Sequence, residues 1–485
     1  MQPVKEDFNS PYNNHSSKIQ IYMKSIKANS VLKLIFFIVF SMRLNAQEKP
    51  NIIIIMTDQQ SADAMSNRLG SKYINTPNMD YLANNGVSFT NTYCANPLCV
   101  PSRSSIFTGR YPHEMGIQNN DEKLVDPNEF PSIGAIFRNA GYETGYVGKW
   151  HLPYDRNNLI SHGFDFLPDK KGNGSDSSSP LKAGQFIQAK RNAPFLLVVS
   201  FMNPHNICQW ARDEDLPDGA IENAPSPDSC PPLRANAMPS SDETDIMQLI
   251  RKSMQKSDKF PVGSFSNGKW RQYIWSYYRL IEKVDEQIGK VLATLRATGQ
   301  DKNTLIVFTA DHGDMQGAHR WNQKTVLYEE AAKVPLIFSQ KGMTARRSEA
   351  LVQSGIDILP TICDFAGIPN PTKSRGVSLN GIISKNNLSI DRKYVVVSDH
   401  LTQGEPVDGH KPEPEGRMIR NKEFKYWIYN QGKQRETLYD IQHDPGEMVN
   451  LVNNPSYQNQ LKECRKQLME WAKVNNDSFI KFLVN

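Results

Sequence analysis

Four predicted strands, each followed directly by polar side chains, constrain the fold of this chain more than any other feature. The run at 51–56 is uninterrupted and rich in isoleucine, which is typical of a strand buried on both faces of a mostly parallel sheet. Residues 142–148, 195–201 and 305–309 are predicted to be further strands, and apolar positions with period 3.6 over 270–297 predict a long helix. Strands that alternate with helices predict an α/β fold, with a doubly wound mixed sheet sandwiched by helices.

The polar side chains after these strands are expected to form one site, because the strand ends of a doubly wound sheet meet at one edge. A single acid or histidine after a strand is usually a cap or a surface group, so the argument rests on their joint occurrence. The side chains are Asp58, Gln59, Lys149, His151, His205, Asp311 and His312. Two carboxylates, an amide and an imidazole among them suit a hard divalent cation, Ca²⁺ ahead of Mg²⁺. The predicted metal ligands are therefore Asp58, Gln59, Asp311 and His312.

Residues 1–46 are typical of an N-terminal extension with an export signal. An apolar run at 34–40 follows three lysines and precedes Ala46, which suits cleavage. A well-formed signal begins at Met23, so we expect translation to start there. The run is too short to span a bilayer, which takes roughly 20 residues. The protein is therefore predicted to be exported, to the periplasm ahead of secretion or association with the cell surface, with no integral membrane segment.

Removal of this segment leaves almost no net charge. The chain of 485 residues carries a formal net charge of +5, and residues 1–46 hold six of its 56 basic and two of its 51 acidic residues, so the remainder carries about +1. No clustered basic stripe remains in the sequence, which argues against a nucleic-acid partner. An anionic substrate would therefore be bound by a local pocket rather than by a global field.

Cys99 begins a second informative segment, in which Cys-Val-Pro-Ser-Arg at 99–103 is followed by Thr-Gly-Arg at 108–110. A helix predicted over 104–108 places Cys99 at or just before its N-terminus, where backbone N–H groups favour negative charge. This segment resembles the signature of the type I sulfatases of the alkaline phosphatase superfamily. The resemblance implies that a formylglycine-generating enzyme or an anaerobic sulfatase-maturating enzyme oxidises Cys99 to formylglycine (3-oxoalanine). The hydrated aldehyde is then the nucleophile, and it also completes the metal site.

The resemblance implies roles for five further residues. Arg103 holds the modified residue and the metal ligands in place, while Lys149 and Lys324 bind the sulfate group. His151 is the base that regenerates the aldehyde. His205 contacts the ester and protonates the leaving oxygen.

Three positions are less closely defined by the resemblance. Gln59 stands where the sulfatases usually have Asp, and His312 where they often have Asn. Similar departures occur in choline sulfatases and phosphonate monoester hydrolases. They therefore leave the identity of the metal and of the substrate less well defined. His319 either binds substrate or caps a loop.

The resemblance covers about 49–472, which predicts a catalytic α/β domain at 47–370 and a smaller α+β subdomain at 371–485. Conversion of Cys99 would leave five cysteines. Two of these, Cys208 and Cys230, flank a proline-rich insertion, where a disulfide would staple the loop.

The implied activity is hydrolysis of sulfate esters of a sulfated polysaccharide or its oligosaccharides, with ulvan and other algal polymers favoured over glycosaminoglycans. The leaving group would be recognised by the loops at 154–185, 206–265 and 400–416. Two alternatives stay open. One is a phosphonate monoester or phosphodiester hydrolase of the same superfamily, and the other is a glycan-binding protein in which Cys99 is never converted.

Overall fold

A seven-stranded mixed sheet lies at the centre of the structure, a computed structural model that describes residues 49–121, 123–169, 174–371, 373–385 and 390–483. Its strands are β1 (Asn51–Asp58), β2 (Gly86–Tyr93), β3 (Glu143–Gly148), β4 (Phe195–Pro204), β5 (Thr304–Ala310), β6 (Leu336–Ser339) and β7 (Arg346–Gln353). Their order is β3-β4-β1-β5-β6-β2-β7. Strands β3, β4, β1 and β5 are parallel neighbours, whereas β6 runs antiparallel to both β5 and β2.

Two layers of helices cover the two faces of this sheet. The helices are α1 (Ser66–Leu69), α2 (Pro77–Asn84), α3 (Cys99–Thr108), α4 (Pro112–Met115), α5 (Ile133–Asn139), α6 (Leu159–His162), α7 (Ser179–Gln188), α8 (Ile207–Ala211), α9 (Asp245–Gln255), α10 (Asn267–Ala297), α11 (Glu329–Ala332), α12 (Ser354–Phe365), α13 (Asn380–Lys385) and α14 (Gln458–Val474). Ile52 and Ile54 of β1 pack in one core layer, which includes parts of α3 and α12, while Ile53 and Ile55 pack in the other, which includes α10. Both faces of β1 are therefore buried, which explains its uninterrupted apolar run.

The strand order brings the predicted site residues to one edge. Thr57 near the end of β1 pairs with Ala310 at the end of β5. The residues that come next, Asp58 and Asp311, therefore lie close together at the ends of adjacent strands. The neighbouring strands β4 and β3 end at Pro204 and Gly148, directly before His205 and Lys149. The strand order thus brings the residues that follow these four strands to one edge of the sheet, and their roles stay a prediction.

A four-stranded antiparallel sheet forms the C-terminal part, in the order β11-β10-β9-β8. Its strands are β8 (Val395–His400), β9 (Glu415–Arg420), β10 (Phe424–Tyr429) and β11 (Glu436–Asp440). Helix α14 packs on this sheet through Leu461 and Leu468. The predicted fold class, a mixed α/β sheet with helices on both faces and a smaller α+β part, is confirmed. The exact division near 370 stays a prediction, because residues from Pro50 onward cluster as one compact unit.

The predicted disulfide between Cys208 and Cys230 is wrong, because both thiols are free. Cys208 lies in α8 with its Sγ 3.5 Å from Nε2 of Gln59, whereas Sγ of Cys230 lies 3.7 Å from the carbonyl oxygen of Pro225. The two thiols therefore have separate contacts, with Gln59 and with Pro225. Across the described ranges, no helix has the length and apolar character to cross a membrane. The predicted export signal at 1–46 lies outside the described residues.

Candidate active site

Helix α3 begins at Cys99 itself, after an extended Leu98, and all ten of its residues are buried. The helix ends at Gly109, which has a left-handed conformation (φ 66°) and donates its N–H to the carbonyl of Ser105. Glycine adopts this conformation without steric cost, which explains the Thr-Gly-Arg sequence after the motif. Cys99 is only 1% exposed, so its thiol faces the protein interior at the sheet edge.

Four potential ligand atoms converge at this point. Asp58, Cys99, Asp311 and His312 are all buried, and one ligand atom from each lies within 4.8 Å of the others. Nε2 of His312 is 3.3 Å from Sγ of Cys99. Nδ1 of His312 lies 3.0 Å from the carbonyl oxygen of Gly313 and donates to it, which leaves Nε2 free to face the cluster. Two carboxylates and an imidazole in this arrangement fit a divalent cation.

Arg103 holds the two carboxylates in place through two ion pairs. Its Nε donates to Oδ2 of Asp311 at 2.7 Å, and Nη2 donates to Oδ2 of Asp58 at 3.0 Å. Its Nη1 donates to Oγ of Ser200 at 2.8 Å and to the carbonyl oxygen of Lys149 at 3.2 Å. Because the guanidinium is fully buried and its fork is planar, these bonds fix the orientation of both acids.

Two lysines lie beside the thiol of Cys99. Nζ of Lys149 lies 3.8 Å from Sγ and forms an ion pair with Asp58. Nζ of Lys324 lies 3.5 Å from Sγ and donates to Oε1 of Gln59 at 2.6 Å. Lys149 directly follows Gly148, whose φ is 93° and where a Cβ would lie 2.0 Å from the carbonyl oxygen of Ser200. Only glycine fits this close approach, which turns the chain so that Lys149 reaches the site.

Both predicted histidines also reach Cys99. His151 and His205 each hydrogen-bond to the Cys99 side chain. Burial, assisted by Lys324 and Lys149, lowers the pKa of His205 to about 4, although the ring keeps partial exposure. His205 is therefore neutral at pH 7. Nδ1 of His151 is buried and has no hydrogen-bond partner in the described part of the chain.

The electrostatics of the cluster favour an anion at position 99. Burial alone would raise the pKa of the Cys99 thiol, but Lys149, Lys324, His312 and His151 together bring it well below its usual range. Burial and the Cys99 thiolate also oppose ionisation of Asp58, yet Lys149, His205 and Arg103 lower its pKa overall. The same site therefore stabilises negative charge on residue 99 and on a bound anionic group.

Two predicted residues have different surroundings from those expected. The side chain of Gln59 donates from Nε2 to Asp314 and accepts from Lys324, so its place among the metal ligands stays a prediction. His319 is fully buried, and its ring stacks on Tyr328 at 4.0 Å between centroids and lies 3.3 Å from Nδ2 of Asn236. Burial lowers the pKa of His319 to about 3. Among the described contacts of His319, none is with Cys99, and these contacts favour the structural alternative.

Three residues of the site were not singled out from the sequence. Ser200 lies inside β4, where its hydroxyl is indistinguishable by sequence from any small residue of a buried strand. Asp314 and Tyr273 bond to each other, with the phenol hydroxyl 3.0 Å from Oδ2. The sequence signal for Asp314 was its position two residues after His312, on the loop that follows β5.

The fold and this site together define a hydrolase of the alkaline phosphatase superfamily. The Sulfatase family model matches residues 50–368, and a model described as "N-sulphoglucosamine sulphohydrolase, C-terminal" matches residues 317–474. The chain belongs to the Sulfatase family and is a sulfuric ester hydrolase.

Several characterised proteins are similar along most of their length. A Delta 4,5-hexuronate-2-O-sulfatase of Bacteroides thetaiotaomicron is 30% identical over 460 residues, which cover 90% of this chain and 91% of the relative. An ulvan-active sulfatase of Formosa agariphila is 29% identical, covering 89% of this chain and 82% of the relative. The solved structure of a 2-O GAG sulfatase superposes with a TM-score of 0.77 at 28% identity, covering 89% of this chain and 94% of that one.

Proposed function

We propose that this protein is an exported carbohydrate sulfatase that removes sulfate from a sulfated polysaccharide or its oligosaccharides. The observation that carries the proposal is the convergence of two lysines, an imidazole and two carboxylates on Sγ of Cys99. Arg103, Lys149 and Lys324 outnumber the two carboxylates. The site therefore holds surplus positive charge where a sulfate ester would be bound.

Formylglycine is proposed at position 99, formed by a formylglycine-generating enzyme or an anaerobic sulfatase-maturating enzyme. Once present, it supplies a hydrated aldehyde as the nucleophile. The start of α3 supports this assignment, since the same lysines and histidines that lower the pKa of the thiol would favour an anionic oxygen at the same place.

A divalent cation, Ca²⁺ ahead of Mg²⁺, is proposed for the ligand cluster. Asp58, Asp311, His312 and residue 99 would hold it, and when bound it supplies Lewis-acid polarisation of the sulfate oxygens. Arg103 keeps both carboxylates aimed at that position through its bonds of 2.7 Å and 3.0 Å.

The remaining residues are proposed to bind the ester and move protons. Lys149 and Lys324 would neutralise the sulfate oxygens as charge moves toward the leaving oxygen. His205, which is neutral before substrate binds, would gain basicity beside the bound anion, take up a proton from solvent and donate it to the leaving oxygen. His151, next to position 99 with Nδ1 unpaired, would accept the proton when the aldehyde is regenerated.

The sugar is proposed to be recognised by the loops that follow β3 and β4 and by the segment at 400–416. Helix α8 connects this region to the site, because it starts two residues after His205 and its Trp210 packs against Tyr273. The named activities of the two relatives support a sulfated glycan. We propose ulvan oligosaccharides as the first substrate class and glycosaminoglycan oligosaccharides as the second.

A substrate panel tests the proposal. The protein purified from the exported fraction is incubated with defined ulvan and glycosaminoglycan oligosaccharides and with an aryl phosphonate monoester, and free sulfate or phosphonate is measured. The mass of the peptide containing residue 99 is determined on the same sample. Sulfate release together with the formylglycine mass supports the proposal, whereas phosphonate hydrolysis alone indicates the other hydrolase. An unmodified Cys99 with glycan binding and no turnover indicates a binding protein.

Chelation tests the metal. Treatment with a chelator should abolish sulfate release, and Ca²⁺ should restore more activity than Mg²⁺ or Mn²⁺. Full activity after removal of all divalent metal, verified by elemental analysis, would rule out the proposed cation. Recovery with Mn²⁺ alone would identify a different ion, one that suits the imidazole of His312.

A further inference from the structure

We infer that Asp314 is a positioning residue for sulfate binding, which acts by fixing the amide of Gln59 and through it the ammonium group of Lys324. The inference rests on the proposed contact between Lys324 and the sulfate group. Asp314 itself does not touch the reacting atoms in this arrangement. Its effect is transmitted through two hydrogen bonds, each between buried groups.

The Asp314 carboxylate is a fully satisfied, buried acceptor. Oδ2 accepts from Nε2 of Gln59 at 2.7 Å and from the hydroxyl of Tyr273 at 3.0 Å, and Oδ1 accepts from the backbone N–H of Gln316 at 2.7 Å. Asp314 has no exposed surface. Three donors in fixed directions leave the carboxylate a single orientation.

A carboxylate in this place determines which way the Gln59 amide points. An amide donates from its nitrogen and accepts at its oxygen, and the two ends differ little in shape. Because an ionised carboxylate can only accept, Nε2 must face Asp314 and Oε1 must face away from it. The backbone of Gln59 is also held, since its N–H donates to Oδ1 of Asp311 and its carbonyl accepts from the hydroxyl of Tyr277 at 2.7 Å.

The amide oxygen then orients Lys324. Nζ of Lys324 donates to Oε1 of Gln59 at 2.6 Å and lies 3.5 Å from Sγ of Cys99. An ammonium group has three donors, so after these two directions are set the third is set as well. A flexible lysine side chain is thereby fixed in one position beside residue 99, which reduces the entropy lost when sulfate binds.

Removal of one carboxylate oxygen would undo this order. In Asp314→Asn, an amide group replaces one acceptor with a donor. If that donor faces Gln59, the Gln59 amide must rotate and present Nε2 to the Lys324 ammonium. If it faces Gln316 instead, two N–H groups point at each other in a buried place. The first arrangement removes the acceptor of Lys324, Oε1 of Gln59. The second weakens the hold of residue 314 on the Gln59 amide.

A double-mutant cycle on an aryl sulfate substrate tests the inference. Asp314→Asn and Gln59→Met are made singly and together, and kcat, KM and inhibition by inorganic sulfate are measured. Each single variant should lower kcat/KM about tenfold and weaken sulfate inhibition, because Lys324 is no longer held. The double variant should also lose about tenfold, since without the amide there is nothing for Asp314 to orient. A loss of about a hundredfold in the double variant would show two independent effects and would overturn the inference.

Two further variants separate positioning from folding. Asp285→Asn alters another buried carboxylate, which accepts from the backbone N–H groups of Asn78 and Met79. None of its described hydrogen bonds involves Gln59, Asp314 or Lys324, so the variant should lower the melting temperature without changing kcat/KM. Tyr273→Phe removes one donor to Asp314 and should lower kcat/KM about two- to threefold with sulfate inhibition weakened in parallel. Wild-type kcat/KM in a folded Asp314→Asn variant would overturn the inference. Absence of sulfate release by the wild type from both the aryl sulfate and the oligosaccharide panel, by contrast, would contradict the proposed function.

Discussion

Two buried groups of charged side chains in this protein differ in how their polar atoms are arranged. The catalytic cluster consists of Asp58, Arg103, Lys149, Asp311 and Lys324 around Cys99. The second group, here called the interface network, joins β2 and α11 to the small sheet and consists of Tyr93, Glu329, Arg420, Lys425 and Glu447. In it, Nζ of Lys425 lies 3.1 Å from Oε1 of Glu329 and 2.7 Å from Oε1 of Glu447. The hydroxyl of Tyr93 donates to Oε2 of Glu329 and accepts from Nε of Arg420.

The difference lies in where the polar atoms point. In the interface network the charges pair with one another, and their bonds connect separate strands and helices. In the catalytic cluster Arg103 satisfies one oxygen of each carboxylate, while other atoms of the same residues face a common point within 4.8 Å of one another. Convergence of this kind costs stability and serves to bind a ligand, whereas pairing serves to hold elements together.

The largest expected effect concerns two buried cysteines five positions apart. Cys99→Ala should lower turnover of sulfate esters at least about a thousandfold, because the proposed nucleophile is lost. Cys94→Ala, which alters a buried thiol outside the cluster, should change turnover less than about threefold. Initial rates on an aryl sulfate measure both variants. Equal losses of turnover in the two variants would mean that the position of the thiol does not matter. They would contradict the distinction between the catalytic cluster and other buried groups.

Lys149→Ala is expected to have the next largest effect. The loss of one preorganised cation beside residue 99 should lower kcat about a hundredfold. The melting temperature should change little, because Arg103 still pairs with Asp58. Normal turnover in this variant would contradict the proposed role of Lys149.

Lys425→Met should lower stability and leave activity unchanged, which is the reverse of the expectation for Lys149→Ala. Removal of the only ammonium that bridges Glu329 and Glu447 in the described network leaves two buried carboxylates without their shared partner, which should lower the free energy of unfolding by about 3 kcal/mol. Chemical denaturation measures this loss. At a temperature where the variant is folded, kcat/KM should match the wild type, and a large drop would show that the network also takes part in binding.

The smallest expected effect depends on pH. Burial raises the pKa of Asp399 to about 7, and its hydrogen-bond partner is the Tyr429 hydroxyl at 3.0 Å. Since the folded state holds this proton above the ordinary pKa of the group, stability is lost as pH rises from about 4 to 7. Asp399→Asn keeps an acceptor for Tyr429 and stays neutral, so it should raise the free energy of unfolding at pH 8 by about 2 kcal/mol and leave it unchanged at pH 4.

Unfolding curves at the two pH values provide the comparison. A uniform change at both would show that ionisation of Asp399 is not the cause. A stabilisation confined to pH 8 would confirm that ionisation of the buried Asp399 costs stability.

The sequence was sufficient to predict the four adjacent parallel strands β1, β3, β4 and β5 and the residues at their ends. Continuous apolar runs identify β1, β4 and β5, and the rule that ligands bind at the carboxyl edge brings Asp58, His205 and Asp311 together before any coordinates are known. Strand β7 was not foreseen, because its sequence begins with charged residues at the edge of the sheet. The short β6, four residues long, gives too little pattern to be distinguished from a loop.

Contacts that depend on long-range packing could not be predicted. Ser200 and Asp314 bind Arg103 and Gln59 across the sheet edge. Asp314 lies close to His312 in the sequence, but nothing local indicates which residue either of them contacts. The expected disulfide failed for a related reason, since the spacing of Cys208 and Cys230 gives no information about the direction of their side chains. His319 stands in a tight turn with φ of 50°, where stacking on Tyr328 rather than exposure determines its environment.

The position of Cys99 has a consequence for biosynthesis. Its side chain is 1% exposed at the start of a helix whose every residue is buried. If this thiol is oxidised by a separate enzyme, that enzyme cannot reach it once the helix is buried. The modification would therefore have to be finished while the polypeptide is still emerging or unfolded, and a chain that collapses first would remain permanently inactive.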